Sequence, residues 1–164
     1  MHVTFAPNGI LQIDNARIWR PNFSGAADKY NKEGDRHFNL IIPDEEISER
    51  MMEDKNEFGV GWNVKIKPPR EEGDNSFIFL KVKVKFNDRG PIIHLQSGNS
   101  RRRLDEESVS CLDNIDIRSV DLDIRPYDGE GSLGPFRAAY LHSMEVIQEV
   151  DRFTARYNDQ FDNE

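Results

Sequence analysis

Apolar and basic residues alternate through the stretch Phe79-Leu80-Lys81-Val82-Lys83-Val84-Lys85-Phe86. Side chains alternate across a strand with period two, so Leu80, Val82, Val84 and Phe86 share one face and Phe79, Lys81, Lys83 and Lys85 the other. The first face reads as core. The second is either a solvated outer face or a surface for a polyanion. Upstream, Trp62, Val64 and Ile66 alternate with Asn63, Lys65 and Lys67, and the polar loop "PPREEGDNS" joins the two segments. This pattern predicts an antiparallel hairpin. If both apolar faces meet one core, Lys65, Lys67, Lys81, Lys83 and Lys85 share the opposite face, with no acidic cross-strand partner in either segment.

The remaining pattern is also β-rich. Ile10–Trp19 predicts a first strand, followed by Pro21 and a polar loop to Asp35, and Arg36–Ile42 predicts a second strand ended by Pro43. Asp44 as N-cap, acids in the first turn, and Ile47 one turn from Met51 predict a short amphipathic helix. "NDRGP" is a turn, "IIHLQS" a strand, and "GNSRRRLDEESVSCLDN" a charged loop with room for a short helix. "IRSVDLDIRPY" and "FRAAYLHSMEVIQE" complete the strands, separated by the glycine-rich turn "DGEGSLG". About six strands, one or two short helices and no βαβ rhythm predict a mainly β protein, an antiparallel barrel of five or six strands or a related sheet.

At 164 residues and 37% hydrophobic content, the chain suits one domain, 1–150, followed by an acidic and mobile tail, 151–164. Cys111 is the single cysteine, so no internal disulfide forms, and no export signal or long apolar run is present. The expectation is a cytoplasmic protein, in a bacterial host, with no membrane association.

The net charge of −8 argues against nucleic acid when the chain is taken whole, but it is unevenly spread. Residues 62–104 carry ten Lys/Arg against four acids, a net of +6; residues 1–61 give 7 − 11 = −4, and residues 105–164 give 5 − 15 = −10. The middle of the chain is basic.

Catalytic signals are weak. His2, His37, His94 and His142 are scattered, and no phosphate loop, dinucleotide fingerprint or nucleophile elbow is present. No cofactor, metal or catalytic residue is expected. Asp121 and Asp123 fall on one strand face, near Asp128 and Glu130, and this is the one arrangement that suits a metal-dependent nuclease. The same alternation suits a solvated face balanced by Arg125.

Single-stranded DNA is held by a positive groove for its phosphates and aromatic faces for its bases. Both ingredients are present. Phe79 leads the lysine face; Trp19, Arg20 and Phe23 precede the loop residues Lys29, Tyr30 and Lys32; Arg101, Arg102 and Arg103 form a further basic run. Each has a plainer reading: the lysines as edge protection, Trp19 and Phe23 as core or loop anchors, the arginines as loop solvation. Tyr30 stands out, since an aromatic between Lys29 and Lys32 in a polar loop has little core to join. The tail "ARYNDQFDNE" has three acids and two aromatics, Tyr157 and Phe161, and suits a mobile competitor for a basic groove and a recruiter of partner proteins.

The segments "FNLIIPDEE", "WNVKIKPPREEGD", "VKVKFNDRGP", "LDEESVSCLD" and "VDLDIRPYD" together resemble phage and prophage single-stranded-DNA-binding proteins of the OB-fold type, over roughly Ile10 to Glu149. The resemblance implies an OB-like barrel and a non-enzymatic replication or recombination protein that coats exposed single strands. The site residues named above come from the physical reading alone. The tail departs from the usual pattern, in which an acidic run ends in an aromatic residue: here Phe161 is followed by Asp162, Asn163 and Glu164. The expected partners are single-stranded DNA and, through the tail, replication or recombination proteins; a homodimer stays open. The rival to the nuclease and DNA readings is a protein-interaction module, such as a host-defence inhibitor, whose lysine face meets an acidic protein.

Overall fold

The computed structural model describes residues 1–74 and 76–150. Along the chain run β1 (His2–Phe5), β2 (Leu11–Asp14), β3 (Ile18–Asn22), β4 (Arg36–Ile42), α1 (Glu45–Glu53), β5 (Lys65–Lys67), β6 (Phe77–Val84), β7 (Ile92–Ser97), β8 (Ser100–Leu104), a 3₁₀ turn (Val109–Asp113), β9 (Ile117–Gly131) and β10 (Gly134–Gln148). No helix among the described residues is long and apolar enough to cross a membrane. The tail expected at 151–164 lies outside the described residues.

Strand β6 behaves as its alternation requires. Ile78, Leu80, Val82 and Val84 are buried, Phe77 and Phe79 half-buried, and Lys81 and Lys83 exposed. Against it lies β4, antiparallel, setting Leu40 opposite Leu80 and Phe38 opposite Val82 in the core. On the other edge β5 pairs with the first part of β6. The later part meets β10 in parallel register. Strand β10 continues past β6 to pair in parallel with β7, which carries β8, and its opposite edge pairs antiparallel with β9.

The path β1-β2-β9-β10-β6-β4-β3 is open in its hydrogen bonding, yet its two sides are joined by the chain itself. The expected strand Ile10–Trp19 is divided: β2 pairs with β9 and β3 pairs with β4. Between them Asn15 takes a left-handed conformation (φ 54°), which Asn tolerates better than most residues. Ala16 then donates to the Val120 carbonyl at 2.7 Å, and Arg17 accepts from Ile41 N–H at 2.9 Å. One bent segment thus brings both sides together, and the architecture is a curled, OB-like sheet with ten strands among the described residues, several of three to five residues, rather than five or six long ones.

Helix α1 forms where the N-cap signal places it: Asp44 Oδ1 accepts from Ile47 N–H at 2.8 Å, and Met51 is fully buried. Just after it Gly61 crosses the helix end so closely that a Cβ would lie 2.1 Å from the Met52 carbonyl oxygen. Trp62 follows, buried, its indole donating to Asp54 Oδ2 at 2.9 Å. The expected alternation over Trp62, Val64 and Ile66 therefore fails. Trp62 is core, Val64 half-buried, and Ile66 is 50% exposed on a three-residue edge strand.

The glycine-rich segment 128–134 is mostly strand rather than turn. Strands β9 and β10 are each 15 residues long and pair out to Gly131 and Gly134. Phe136 lies across Gly129, where a Cβ would come within 2.8 Å of the ring, so the glycine leaves room for the aromatic. Arg137 braces this arm: it donates to both carboxylate oxygens of Asp128 and to the Asp54 carbonyl, and its guanidinium lies 5.1 Å from the Trp62 ring centroid. The ion pair holds the Asp128 carboxyl below its usual range.

Candidate nucleic-acid interface

The outer face of the sheet is set by register. Antiparallel partners directly opposite each other point to the same side. On β6 that side carries Phe77, Phe79, Lys81 and Lys83, and on β5 Lys67 opposes Phe77 while Lys65 opposes Phe79. Strand β4 contributes His37 opposite Lys83 and Asn39 opposite Lys81, and β3 contributes Trp19 opposite Asn39. On the far side of β6, Tyr140 of β10 is level with Lys83, and Arg125 of β9 is level with Tyr140.

Aromatic rings stand at both ends of this basic row. At one end the Trp19 ring meets Phe77 edge-on at 4.8 Å and Phe79 at 5.4 Å between centroids. Two cations sit over the tryptophan, the Arg20 guanidinium at 4.3 Å and Lys67 Nζ at 5.6 Å. Arg20 reaches this place through a bulge in β3, where it takes a left-handed backbone (φ 48°) that is costly for a residue with a Cβ. At the other end Tyr140 lies 5.9 Å from Lys83 Nζ and 5.3 Å from the Arg125 guanidinium. Tyr127 packs edge-on to Tyr140 at 5.8 Å, and Phe136 follows at 6.2 Å.

At the Tyr140 end opens a cleft of about 460 Å³, lined by Arg36, His37, Lys81, Lys83, Lys85 and Tyr140 among others. Its acids are few: Asp35 and Glu106, the latter paired with Arg36 at 3.4 Å. The His37 imidazole is held below its ordinary range, chiefly by burial and then by the Lys81 charge, with Asp28 and Asp35 opposing. Burial would count against a charge of either sign, but the Lys81 part of the effect is one that an anion would relieve.

The loop after β3 closes one side. Tyr30 is 90% exposed, with Lys29 Nζ 5.6 Å from its ring centroid, and Lys32 is exposed beside it. The loop is tied internally: the Asn31 amide nitrogen lies within 3.1 Å of the carbonyl oxygens of Ala26, Lys32 and Asp35, and Gly34 N–H donates to Gly25 at 2.8 Å. The tyrosine is therefore presented on a structured loop.

Two expectations change. Phe23, read as part of the DNA surface, is fully buried and stacked on Phe38 at 5.6 Å, with its backbone N–H held by Asp113; it is a core residue. The arginine run is a strand, not a loop, and its alternation divides it. Arg102 lies opposite Leu95 and donates to Cys111 Sγ, whereas Arg101 and Arg103 lie opposite Gln96 and His94, and Arg101 is paired with Glu145. Among the described strands β8 pairs with β7 alone, and because successive side chains point to opposite sides the three arginines form no single patch. Asp121 and Asp123 are engaged structurally: Asp121 accepts from Asn15 N–H at the bend, and Asp123 from the Ser143 hydroxyl. Among the described residues no group of three or more His, Cys, Asp or Glu side chains is placed to hold a metal ion.

Several residues of the face escaped the sequence reading: His37, Phe77, Arg125, Tyr127, Phe136 and Tyr140. Phe77 was within reach, since it extends the alternation of Phe79 and Lys81 by one step. Tyr140 and Arg125 join Lys83 only through pairings between distant strands, and nothing local marks them.

A curled, OB-like sheet with a basic row between aromatic clusters defines a single-stranded-DNA-binding module. The family model described as "Putative phage ssDNA-binding domain" matches residues 2–163, and the chain belongs to that family. Comparison with curated proteins gives no match. Among solved structures, the chain is similar to the single-stranded DNA-binding protein from bacteriophage Enc34. The C-terminally truncated form gives a TM-score of 0.55 at 18% identity, covering 88% of each chain. The fuller form gives 0.53 at 18%, covering 92% of this chain and 87% of that one. Its complex with ssDNA gives 0.52 at 16%, covering 92% and 93%.

Proposed function

We propose that the chain coats single-stranded DNA with little sequence preference along the outer face of β3, β4, β6 and β10. The observation that carries this is the lysine pair Lys81 and Lys83 lying between two aromatic clusters, Trp19-Phe77-Phe79 and Tyr140-Tyr127-Phe136. The cations capture the phosphates first. Bases then stack on the rings, each worth about 1–3 kcal/mol irrespective of sequence, because every base has a π-face. Lys65, Lys67, Lys85, Arg20 and Arg125 extend the positive row, and Tyr30 with Lys29 and Lys32 closes over it. Arg101 and Arg103 lie beyond it, on β8. The Enc34 protein's structure with ssDNA supports this use of the fold.

In this reading the protein acts by binding alone, without catalysis, in the host cytoplasm during phage replication or recombination, and residues 151–164 recruit other proteins. Fluorescence anisotropy of a labelled oligo-dT against its duplex, at two salt concentrations, tests it. Tight, salt-dependent binding of the single strand and weak binding of the duplex are expected. Indifference to both would leave the protein-interaction reading of the lysine face, and loss of DNA strands with magnesium but not with chelator would favour a nuclease.

A further inference from the structure

A second cleft, of about 740 Å³, opens at the end of the sheet beside the Trp19 cluster. Phe77 belongs to both: its ring packs 4.8 Å from Trp19 and also lines this cleft. The other walls are largely aliphatic, with Ile41, Pro43 and Ile117 prominent, and Arg17 and Arg118 stand among them. Among the described residues no carboxylate lines the cleft and neither arginine takes part in an ion pair. In a chain of net charge −8, two exposed guanidinium groups without an acid beside them are left to attract an anion.

The chemistry of the cleft divides in the same way as a nucleotide. Apolar walls, the Phe77 ring among them, suit a base. A guanidinium offers two parallel donors to phosphate oxygens, a geometry that an ammonium lacks. The volume falls within the roughly 300–1,000 Å³ typical of small-molecule sites. The cleft is also continuous with the outer face through Phe77, so a strand leaving the Trp19 cluster meets it next.

We propose that this cleft receives one further nucleotide of the bound single strand, its base against Phe77, Ile41 and Pro43 and its phosphate on Arg17 and Arg118. The proposal rests on the reading of the outer face as the DNA surface. It makes the bound length longer than the face alone accommodates, and it sets one end of the footprint.

The test is a series of oligo-dT lengths measured by anisotropy on the full chain and on the double variant R17Q/R118Q. Both arginines are exposed, so the variant keeps its fold, and unchanged affinity for the shortest bound oligomers verifies that. With the native chain, affinity should go on rising to a length at which the variant has already levelled off. For long oligomers the variant's plot of log affinity against log salt should be shallower by about 0.7, the one phosphate that the two arginines share. Identical length dependence and slope in the two proteins would overturn the proposal. So would binding of dTMP that is lost in the variant while the length series stays the same, since the cleft would then be a free-nucleotide site. If the native chain binds no oligo-dT of any length, the reading of the face itself fails and the cleft loses its strand.

Discussion

Lys83 and Tyr140 lie level on parallel strands, the lysine Nζ 5.9 Å from the tyrosine ring centroid, although 56 residues of chain separate them. With Arg125 on its other side, Tyr140 is an aromatic held between two cations. If a base stacks there, Tyr140→Ala weakens oligo-dT binding by about 1–3 kcal/mol and leaves the salt slope nearly unchanged, because no phosphate contact is lost. Tyr140→Phe, which keeps the ring, should bind almost as the native chain does. Equal losses in both variants would mean that the hydroxyl, not the ring, matters.

The lysine row governs the response to salt. Replacing Lys81, Lys83 and Lys85 together by Gln should flatten the plot of log affinity against log salt by about 2.1, three phosphates at about 0.7 each. All three side chains are exposed, so the thermal midpoint should scarcely move. A slope indifferent to the substitution would assign phosphate capture elsewhere.

Neighbouring residues of β6 should give opposite phenotypes. Leu80 is 2% exposed and Phe79 half-buried on the other side. Leu80→Ala should lower stability by about 2–5 kcal/mol. Phe79→Ala should mainly reduce binding, by about 1–3 kcal/mol. Denaturant titration paired with anisotropy separates them. An unfolded Phe79→Ala protein beside an unharmed Leu80→Ala one would reverse the two faces.

His37 should make stability and binding move in opposite directions with pH. Its folded pKa lies below the ordinary 6.5, so the neutral form is favoured by folding. That contribution is complete above about pH 6.5 and is lost as pH falls through the folded value. A phosphate placed among Lys81, Lys83 and His37 favours the protonated ring instead, so bound DNA raises the pKa and affinity rises over the same fall in pH. Asp28 and Asp35 face the ring from the loop and partly offset Lys81. In His37→Gln both pH dependences should shrink. A native affinity that is flat between pH 8 and pH 5.5 at constant salt would place His37 outside the bound strand's reach.

Competition for the same face is the test of the tail's role. Removing Arg156–Glu164 takes away Asp159, Asp162 and Glu164 and one arginine. If these acids compete with DNA, the truncated protein binds oligo-dT more tightly at low salt and equally at high salt, where the competition is screened. Unchanged low-salt affinity would show that the tail does not compete.

The parts of this fold legible in the sequence are those governed by neighbours along the chain. The period of two in Leu80, Val82 and Val84 identified the core face of β6, and Asp44 with Ile47 and Met51 marked the helix. Where two distant segments meet, local signals misled. The three glycines after Asp128 read as a turn, but Gly129 is there to admit the Phe136 ring into a strand pair. Phe23 follows a proline in a polar neighbourhood, yet Phe38 waits for it in the core. The consecutive arginines look like one patch until strand geometry sends alternate members to opposite sides. Of the candidate interface, the lysine row was visible from its own spacing, whereas the Tyr140 end is created by register between β6, β10 and β9.

Strand β10 serves three others at once, pairing with β9 on one edge and with β6 and then β7 on the other. It is also the last of the described strands to leave the ribosome. Until its 15 residues emerge, β7 and the later part of β6 have bare edges, and the outer face lacks Tyr140. Long-range pairing of this kind is slow to form and leaves sticky edges exposed meanwhile. The nascent chain therefore completes its sheet, and with it the proposed DNA-binding surface, only once Gln148 has emerged.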